Sequence, residues 1–510
     1  RFVVLECFDR DVEDEELPTR AFARAWARLA LAQSDVALVV ADAARSSAVA
    51  PRRLERRALY GGELVTRKKS IVLLVHDRNA PPPKRSRRWL TQRPAPTQGC
   101  APRLLHCVRD DAGDLGRVAR IVAGRAVGVV LGGGGGRGLG HLGVLRALEE
   151  GGLLPDVVGG CSQGAYCAAA YALPQRNDDR LEATAVASGE IARTLTSPTL
   201  VGWELTLPLL SIFSGTGFSR AVRRGLSFAW SRPIGRTRDA CLSDESDDDD
   251  ATPRRIRRKV WSRRDIEDCW LPFFCVTTNL TKQSGHAISA GDLVFACRAS
   301  MSVAEILPPM RCPRTGDLHC DGCYVNNLPV REMRHTGCVR TVVGVSVVDS
   351  SGREFRDVIK YGDTGVSGWY LLLRRWLNVL LVCVGRSRDC RKVPSMSKVN
   401  ATLTVLRNKA QLAEDLDHGT MDLFLEIKPV ADFSASCYWR LTRMTQLAAD
   451  YAIPKVRRFV RRRDALRRKL SVSLMDRDTT TLPALRSALF DSVGRDLDSS
   501  SSAGRRDKPR

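Results

Sequence analysis

A serine at position 162 lies in a sequence context that favours nucleophilic chemistry. It is the centre of a G-x-S-x-G motif, Gly160-Cys-Ser-Gln-Gly164, which follows a short apolar segment and precedes a run of small residues. The apolar segment predicts a buried strand and the small residues predict a helix. A serine on the sharp turn between a strand and a helix projects its hydroxyl, where it can attack a carbonyl carbon. The motif therefore predicts that Ser162 is a nucleophile.

A run of five glycines, residues 132–136, precedes this motif by one strand–helix–strand unit. Consecutive glycines let backbone N–H groups converge, and such a group stabilises the oxyanion that forms when a serine attacks an ester. Residues 133–138 also fit the G-x-G-x-x-G pattern of dinucleotide-binding loops, which requires an acidic residue at the end of the next strand. Here Asp156 precedes that strand. The oxyanion role is therefore favoured over the dinucleotide role.

A serine nucleophile needs a base, and none of the seven histidines follows Ser162 in a recognisable triad setting. Asp321 is a better candidate, because it precedes a glycine between a short strand and an Asn- and Pro-rich turn. A bend that only glycine tolerates can direct such a carboxylate into a cleft, where it can take the serine proton. An ordinary Asx-turn fits the same residues equally well. The segment alone leaves both roles of Asp321 open.

These three motifs, in this order and spacing, resemble those of the patatin-like phospholipases. The chain is most similar to the esterase domains of the neuropathy target esterase and lysophospholipase group, with a dense likeness over residues 126–350. The resemblance implies a three-layer α/β/α sandwich around a mainly parallel sheet, and a dyad of Ser162 and Asp321 without histidine. It also implies an oxyanion hole formed by Gly133, Gly134 and Gly135. The residues that support the motifs are Arg137, Gly138, Gly160, Gly164 and Gly322.

Two cysteines depart from the family pattern. Cys161 stands where the family often has threonine, and Cys323 stands where it usually has glycine or alanine. Both replacements are small, so we expect the dyad to be retained. Cys320 and Cys323 also form a C-x-x-C pair around Asp321, which could bind zinc or form a disulfide. The chain has no second pair of this kind, and the resemblance implies no metal.

The resemblance implies a serine esterase that hydrolyses the carboxylic ester bonds of lysophospholipids or phospholipids, with lysophosphatidylcholine as the first candidate. Asp321 would act as the general base, an acyl-enzyme would form on Ser162, and water would release the fatty acid. Because the dyad supplies the nucleophile, we expect no cofactor and no metal. The alternative function is a non-catalytic lipid- or membrane-binding module that retains the fold.

The chain of 510 residues is long enough for two or three domains. Alternating strand and helix patterns predict a small α/β unit at residues 1–123, and the patatin-like catalytic domain follows at residues 124–455. A dense acidic block beside a basic one predicts a disordered insertion at residues 235–261. Residues 456–510 predict a basic helix and a disordered tail.

The formal net charge of +23 indicates an anionic partner. No motif or aromatic platform for nucleic acid is present, so an anionic membrane surface is favoured, with solvated surface charge as the alternative. The apolar residues 200–213 fit core packing and a lipid-facing wall equally well, and residues 367–385 fit core packing slightly better than an interfacial helix. The sequence shows no secretory signal and no apolar run long enough to span a bilayer. We therefore expect a protein associated with the cytosolic face of a membrane, for example the endoplasmic reticulum, and not secreted.

Overall fold

The computed structural model describes residues 36–44, 69–91, 104–198, 202, 204–207, 209–231, 264–348, 369, 373 and 396–475. The strands in these residues are β1 (Val36–Asp42), β2 (Lys69–His76), β3 (Leu104–Val108), β4 (Ala126–Leu131), β5 (Val157–Cys161), β6 (Phe273–Asn279), β7 (Ser284–Ile288), β8 (Met310–Arg311), β9 (Leu318–Asp321), β10 (Val339–Ser346) and β11 (Leu423–Glu426). The α-helices are α1 (Ala112–Val122), α2 (His141–Glu150), α3 (Gln163–Ala172), α4 (Asn177–Thr196), α5 (Thr216–Ser231), α6 (Leu293–Ser300), α7 (Val330–His335), α8 (Met396–Asp417), α9 (Lys428–Ala431) and α10 (Leu441–Met475).

The main sheet has the strand order β11-β10-β4-β5-β6-β9-β8, with β7 paired to β6 outside this path. The strands from β11 to β6 are parallel, and β7, β8 and β9 join antiparallel. Every residue of β4 and β5 is buried, as expected for central parallel strands covered on both faces.

Helices cover the two faces of this sheet. Because side chains alternate along a strand, Val129 and Leu131 of β4 pack in one buried cluster, which also contains side chains of α2, α3 and α10. Val130 lies between them and packs in the opposite cluster, with side chains of α1 and α7. The predicted three-layer α/β/α sandwich around a mainly parallel sheet is confirmed.

A second, smaller sheet precedes the main one. It consists of β1, β2 and β3 in parallel, which matches the alternating pattern of the N-terminal sequence. Ile71, Leu73 and Leu105 of this sheet belong to the same buried cluster as Val130 and Phe274 of the main sheet. The small unit therefore packs directly on the larger one.

Strand β6 lies between the two segments that carry the candidate catalytic residues. On one side it pairs in parallel with β5, and Cys161 lies opposite Val276. On the other side it pairs antiparallel with β9, and Asp321 lies opposite Thr277. Because Val276 and Thr277 are adjacent, the end of β5 and the end of β9 meet at the same place along β6.

Two helices differ from the sequence-based boundaries. The pattern predicts a helix over residues 296–306, but α6 ends at Ser300, because the carbonyl of Ser302 accepts the N–H of Asp321 at 2.9 Å instead of continuing the helix. The predicted boundary between residues 455 and 456 falls inside α10, and Val456 is fully buried in the main core. The predictions for residues 1–35, for the insertion at 235–261, for most of residues 367–385 and for the tail after 475 lie outside the described residues.

Candidate active site

Ser162 occupies a strained turn between β5 and α3. Its backbone has φ 52° and ψ −127°, a region that non-glycine residues rarely adopt. The turn can be this sharp because Gly160 and Gly164 pack against the end of β4, where a side chain at either position would collide with the Leu131 carbonyl oxygen. The two glycines of the G-x-S-x-G motif thus allow the close strand–helix contact that presents the serine.

The side chains of Ser162 and Asp321 are in direct contact. The Ser162 hydroxyl donates to Asp321 Oδ2 at 2.7 Å. The other carboxylate oxygen, Oδ1, accepts the backbone N–H of Cys323 at 2.9 Å and lies 3.6 Å from the thiol of Cys161. These contacts fix the carboxylate so that Oδ2 faces the serine. Gly322 makes the bend possible, because a side chain there would collide with the Val276 carbonyl.

Burial makes the Asp321 carboxylate more basic than an exposed aspartate. Its side chain is fully buried, and desolvation raises the pKa of this carboxyl above its ordinary value, although hydrogen bonds from Cys323 and Ser162 act in the opposite direction. Burial also raises the pKa of the Cys161 and Cys323 thiols well above the usual range. Both thiols are therefore neutral near pH 7, and the Cys161 thiol can donate a hydrogen bond to the carboxylate.

The glycine loop lies beside Ser162, and its N–H groups have different partners. The N–H of Gly133 donates to Asn327 Oδ1 at 3.1 Å, and the N–H of Gly136 donates to the Ala435 carbonyl at 2.6 Å. Gly134 and Gly135 line the same cavity as Ser162, and their N–H groups have no hydrogen-bond partner among the described residues. Of the three glycines predicted for the oxyanion hole, the structure thus leaves the N–H groups of Gly134 and Gly135 available and engages that of Gly133.

The remaining motif residues hold this loop in place. Arg137 donates from Nε to the carbonyl of Phe433, so its guanidinium braces the loop against the segment before α10. A side chain at Gly138 would collide with Gln163, which makes glycine necessary where the loop crosses α3. His141 Nε2 donates to the carbonyl of Gly132 at 2.7 Å, and its fully buried ring has a pKa lowered to about 4 by desolvation. This neutral histidine is a structural support.

Two residues that sequence reasoning missed also contact the site. Asn327 forms a reciprocal pair with Gly133, since its Nδ2 donates to the Gly133 carbonyl at 3.3 Å while its Oδ1 accepts the Gly133 N–H. Ser300 accepts the backbone N–H of Ser162 at 2.9 Å and donates to the Val276 carbonyl at 2.7 Å. The Asn pair that follows Asp-Gly was a usable signal for Asn327. The sequence has no comparable signal for Ser300.

A cavity of about 290 Å³ opens in front of Ser162 and Asp321. Its wall combines the glycine loop, residues 303–306, Tyr324, Leu328 and one face of α8. This volume is at the lower end of the range for small-molecule sites. Apolar walls around a few polar groups suit a substrate with a hydrocarbon chain.

In the part of the chain that the structure describes, no group of three or more His, Cys, Asp or Glu side chains is arranged to hold a metal ion. Cys312, Cys320 and Cys323, like the other described cysteines, are free thiols.

Asp156 has a structural role that excludes the dinucleotide alternative for this acidic residue. Its buried carboxylate accepts from Arg120 at 2.7 Å and from the backbone N–H of Val127 at 2.9 Å. These bonds join α1 to the start of β4, at the opposite end of the strand from the glycine loop. Asp156 is therefore not placed to hold a ribose beside that loop.

The fold and the site define an α/β domain that presents a serine on a strand–helix turn beside a glycine loop. Comparison with known families identifies the domain: residues 129–334 match the patatin-like phospholipase family. The chain therefore carries a patatin-like phospholipase domain, and this is a family of lipid ester hydrolases.

Known relatives agree with this assignment. The chain is 30% identical over 371 residues to patatin-like phospholipase domain-containing protein 7 of Mus musculus, covering 69% of this chain and 24% of the relative. It is 31% identical over 411 residues to patatin-like phospholipase domain-containing protein 6 of Mus musculus, covering 76% of this chain and 26% of the relative. It is 29% identical over 439 residues to lysophospholipase NTE1 of Mycosarcoma maydis, covering 76% and 20%. The chain thus spans about a quarter of the length of the curated relatives it matches.

Proposed function

We propose that this chain is a serine esterase that hydrolyses carboxylic ester bonds of lysophospholipids and phospholipids through Ser162 and Asp321. The observation that carries the proposal is the 2.7 Å hydrogen bond from the Ser162 hydroxyl to Asp321 Oδ2. Two further features support it: the raised pKa of the buried Asp321 carboxyl, and the adjacent N–H groups of Gly134 and Gly135.

The proposed reaction uses one carboxylate in both half-reactions. Asp321 accepts the hydroxyl proton while Ser162 Oγ attacks the ester carbonyl, and the N–H groups of Gly134 and Gly135 stabilise the oxyanion. Gly133 contributes by positioning the loop through Asn327. The protonated Asp321 then returns its proton to the leaving alcohol, and an acyl-enzyme remains on Ser162. Water, deprotonated by Asp321, attacks this ester and releases the fatty acid. The reaction requires no cofactor and no metal.

The cavity beside Ser162 suits an acyl chain, because most of its surface is apolar. The Mycosarcoma maydis relative is named a lysophospholipase. We therefore propose lysophosphatidylcholine as the first substrate to examine, with diacyl phospholipids second.

The proposed substrates are amphiphiles, which gather at lipid surfaces. We propose that the chain acts on them at the cytosolic face of a membrane, the endoplasmic reticulum being one candidate, and that nucleic acid is not its partner. No helix in the described part of the chain is both long enough and apolar enough to cross a bilayer. We assign the chemistry to the unit that begins at residue 124 and includes the part of α10 around the buried Val456, preceded by the unit at residues 1–123.

Labelling with a fluorophosphonate probe tests the nucleophile and the base. We expect wild type to be labelled and to release fatty acid from lysophosphatidylcholine. Ser162→Ala should abolish both signals, and Asp321→Asn should slow both by about 10²–10⁴-fold, the usual contribution of a positioned general base. Ser284→Ala and Asp110→Asn, which change exposed residues outside the cavity, are the matched controls.

Two results would contradict this function. If folded wild type neither reacts with the probe nor releases fatty acid, the non-catalytic lipid-binding alternative replaces the esterase. If labelling persists in Ser162→Ala, another residue is the nucleophile.

A further inference from the structure

An exposed apolar loop lies next to the cavity. Its described residues are 205–207 and 209–212, and we call this segment the apolar loop. Leu207 is 78% exposed and Leu209 is 93% exposed, while Leu205, Leu210 and Ile212 are also exposed. Solvent contact at so many neighbouring leucine and isoleucine side chains is unfavourable and marks a surface that meets an apolar partner. The sequence alone left core packing and a lipid-facing wall equally open for this segment, and the exposure excludes core packing.

Backbone hydrogen bonds attach the apolar loop to the wall of the cavity. The N–H of Ile212 donates to the Glu305 carbonyl at 2.7 Å, and the N–H of Phe213 donates to the Ile306 carbonyl at 3.1 Å. Glu305 and Ile306 line the cavity that contains Ser162. The apolar loop therefore continues the rim of the substrate opening.

The base of the apolar loop is held by polar contacts, so that its tip is presented at a fixed position. Glu204 accepts the hydroxyls of Ser214 at 2.9 Å and Thr216 at 2.8 Å, which joins both ends of the loop to the start of α5. An antiparallel bridge between Leu205 and Phe213 closes the loop. The leucines at the tip are thus displayed by a constrained hairpin-like segment.

The basic C-terminal part of α10 lies at the end of the sheet opposite the Ser162 cavity. Burial lowers the pKa of Arg467, and the nearby charges of Arg463, Arg340 and Arg125 lower it further, so Arg467 lies close to Arg340 and Arg125. Arg125 and Arg340 flank the first residues of β4 and β10, whereas Ser162 follows the last residue of β5, which runs parallel to β4. A strand of six residues is about 20 Å long. A flat membrane that faces the cavity would therefore not touch this part of α10.

We propose that the apolar loop inserts into the surface of a phospholipid bilayer and thereby brings the opening of the Ser162 cavity against the membrane. The proposal rests on the function proposed above, because a lipid substrate has to pass from the bilayer into this cavity. Insertion of leucine side chains does not require negatively charged lipid. The partner is therefore a lipid surface as such, and uncharged phosphatidylcholine should suffice.

Sedimentation of the full chain with vesicles of pure phosphatidylcholine tests the proposal. We expect wild type to bind, and the double variant Leu209→Asp, Leu210→Asp to partition at least ten-fold more weakly, and about a hundred-fold where both leucines enter the lipid, since each leucine removed weakens binding about ten-fold. The matched control is Leu154→Asp. Leu154 is an exposed leucine just before β5, at the end of the sheet away from the cavity, and its replacement should leave binding unchanged.

A second measurement separates membrane docking from the chemistry. Hydrolysis of a water-soluble butyrate ester reports on Ser162 without a lipid surface, and hydrolysis of lysophosphatidylcholine embedded in vesicles reports on both. We expect the double variant to lose about ten-fold or more on the vesicle substrate relative to the soluble ester. If wild type hydrolyses neither substrate but binds vesicles through the apolar loop, the esterase function fails while the docking surface stands.

Three outcomes would overturn the docking proposal. Wild type does not bind phosphatidylcholine vesicles, or the double variant binds them as tightly as wild type. Alternatively, binding appears only with anionic lipid and is lost in Arg457→Glu, Arg461→Glu while the double variant retains it. The last result would assign the contact to the basic part of α10.

Discussion

Asn327 offers a sharp test of how the glycine loop is positioned. The change Asn327→Ala removes two hydrogen bonds, from Gly133 N–H to Oδ1 at 3.1 Å and from Nδ2 to the Gly133 carbonyl at 3.3 Å. At about 0.5–1.5 kcal/mol for each neutral bond, roughly 1–3 kcal/mol of loop positioning is lost. Only a 3.4 Å contact from Gly133 N–H to the Asn327 carbonyl remains. Gly134 and Gly135, which follow directly, should then no longer hold their N–H groups at a fixed point.

The expected effect is on the chemical step. Removing one oxyanion donor lowers kcat by about 10²–10³-fold. Asn327→Ala displaces the loop without removing a donor, so we expect kcat to fall by about 10–10³-fold. The oxyanion exists only in the transition state and the tetrahedral intermediate, so KM should change little. Steady-state hydrolysis of a soluble ester measures both constants, and thermal unfolding measures the accompanying loss of stability.

Asn326→Ala is the matched control for this experiment. Asn326 is the neighbouring asparagine, and its amide donates to Glu332 at 3.0 Å while its Oδ1 accepts the Leu328 N–H at 3.2 Å, so its side chain makes no hydrogen bond to the glycine loop. It should lower the unfolding temperature with a smaller effect on kcat. The reasoning is refuted if Asn327→Ala leaves kcat unchanged, if it raises KM alone, or if both variants lose kcat equally.

Two further changes test the buried carboxylates. Asp321 has to be ionised to accept a proton, and burial raises its pKa, so kcat/KM should begin to fall at a pH above the usual carboxyl range near pH 4. A value of kcat/KM that stays constant down to pH 4 would contradict the assignment. The Asp321 carboxyl has a higher pKa in the folded chain than in the unfolded chain, so the free energy of unfolding decreases as pH rises from the unfolded to the folded pKa. At pH 7 this loss is complete, and Asp321→Asn should therefore unfold at a higher temperature than wild type. Asp156→Ala leaves the Val127 N–H buried without its acceptor and should lower the free energy of unfolding in urea by about 1–3 kcal/mol. Glu150→Ala, which breaks only the exposed pair with Arg146, should change it by less than about 0.5 kcal/mol, and equal losses would disprove the role of Asp156.

Sequence patterns predicted the parts of this fold that depend on local chemistry. The apolar segments at β4 and β10, the small residues of α3 and the glycines around Ser162 each impose a local structure, because strand burial and close backbone contact permit few other residues. The three-layer fold was expected from the resemblance to the patatin-like phospholipases, which rests on the order and spacing of the motifs.

Features that depend on distant segments could not be predicted in the same way. The contact of Asn327 with Gly133 and that of Ser300 with Ser162 join residues more than a hundred positions apart, and no local pattern encodes either. The early end of α6 has the same origin, since the Ser302 carbonyl is taken by the N–H of Asp321. The sequence also did not predict that α10 continues across residues 455 and 456. The many basic residues after Val456 indicate a surface segment, whereas Val456 itself is buried in the main core.

The pairing of β6 with both β5 and β9 has a consequence for how the chain can vary. The separation of Ser162 from Asp321 is set by the registers Cys161 with Val276 and Asp321 with Thr277, not by the length of chain between them. A slip of one residue in either register would turn the side chain to the other face of the sheet. A change in the length of a loop between α3 and β6 therefore need not separate Ser162 from Asp321, provided that both registers are kept. The position of the two side chains relative to one another thus depends on strand pairing rather than on the chain that connects them.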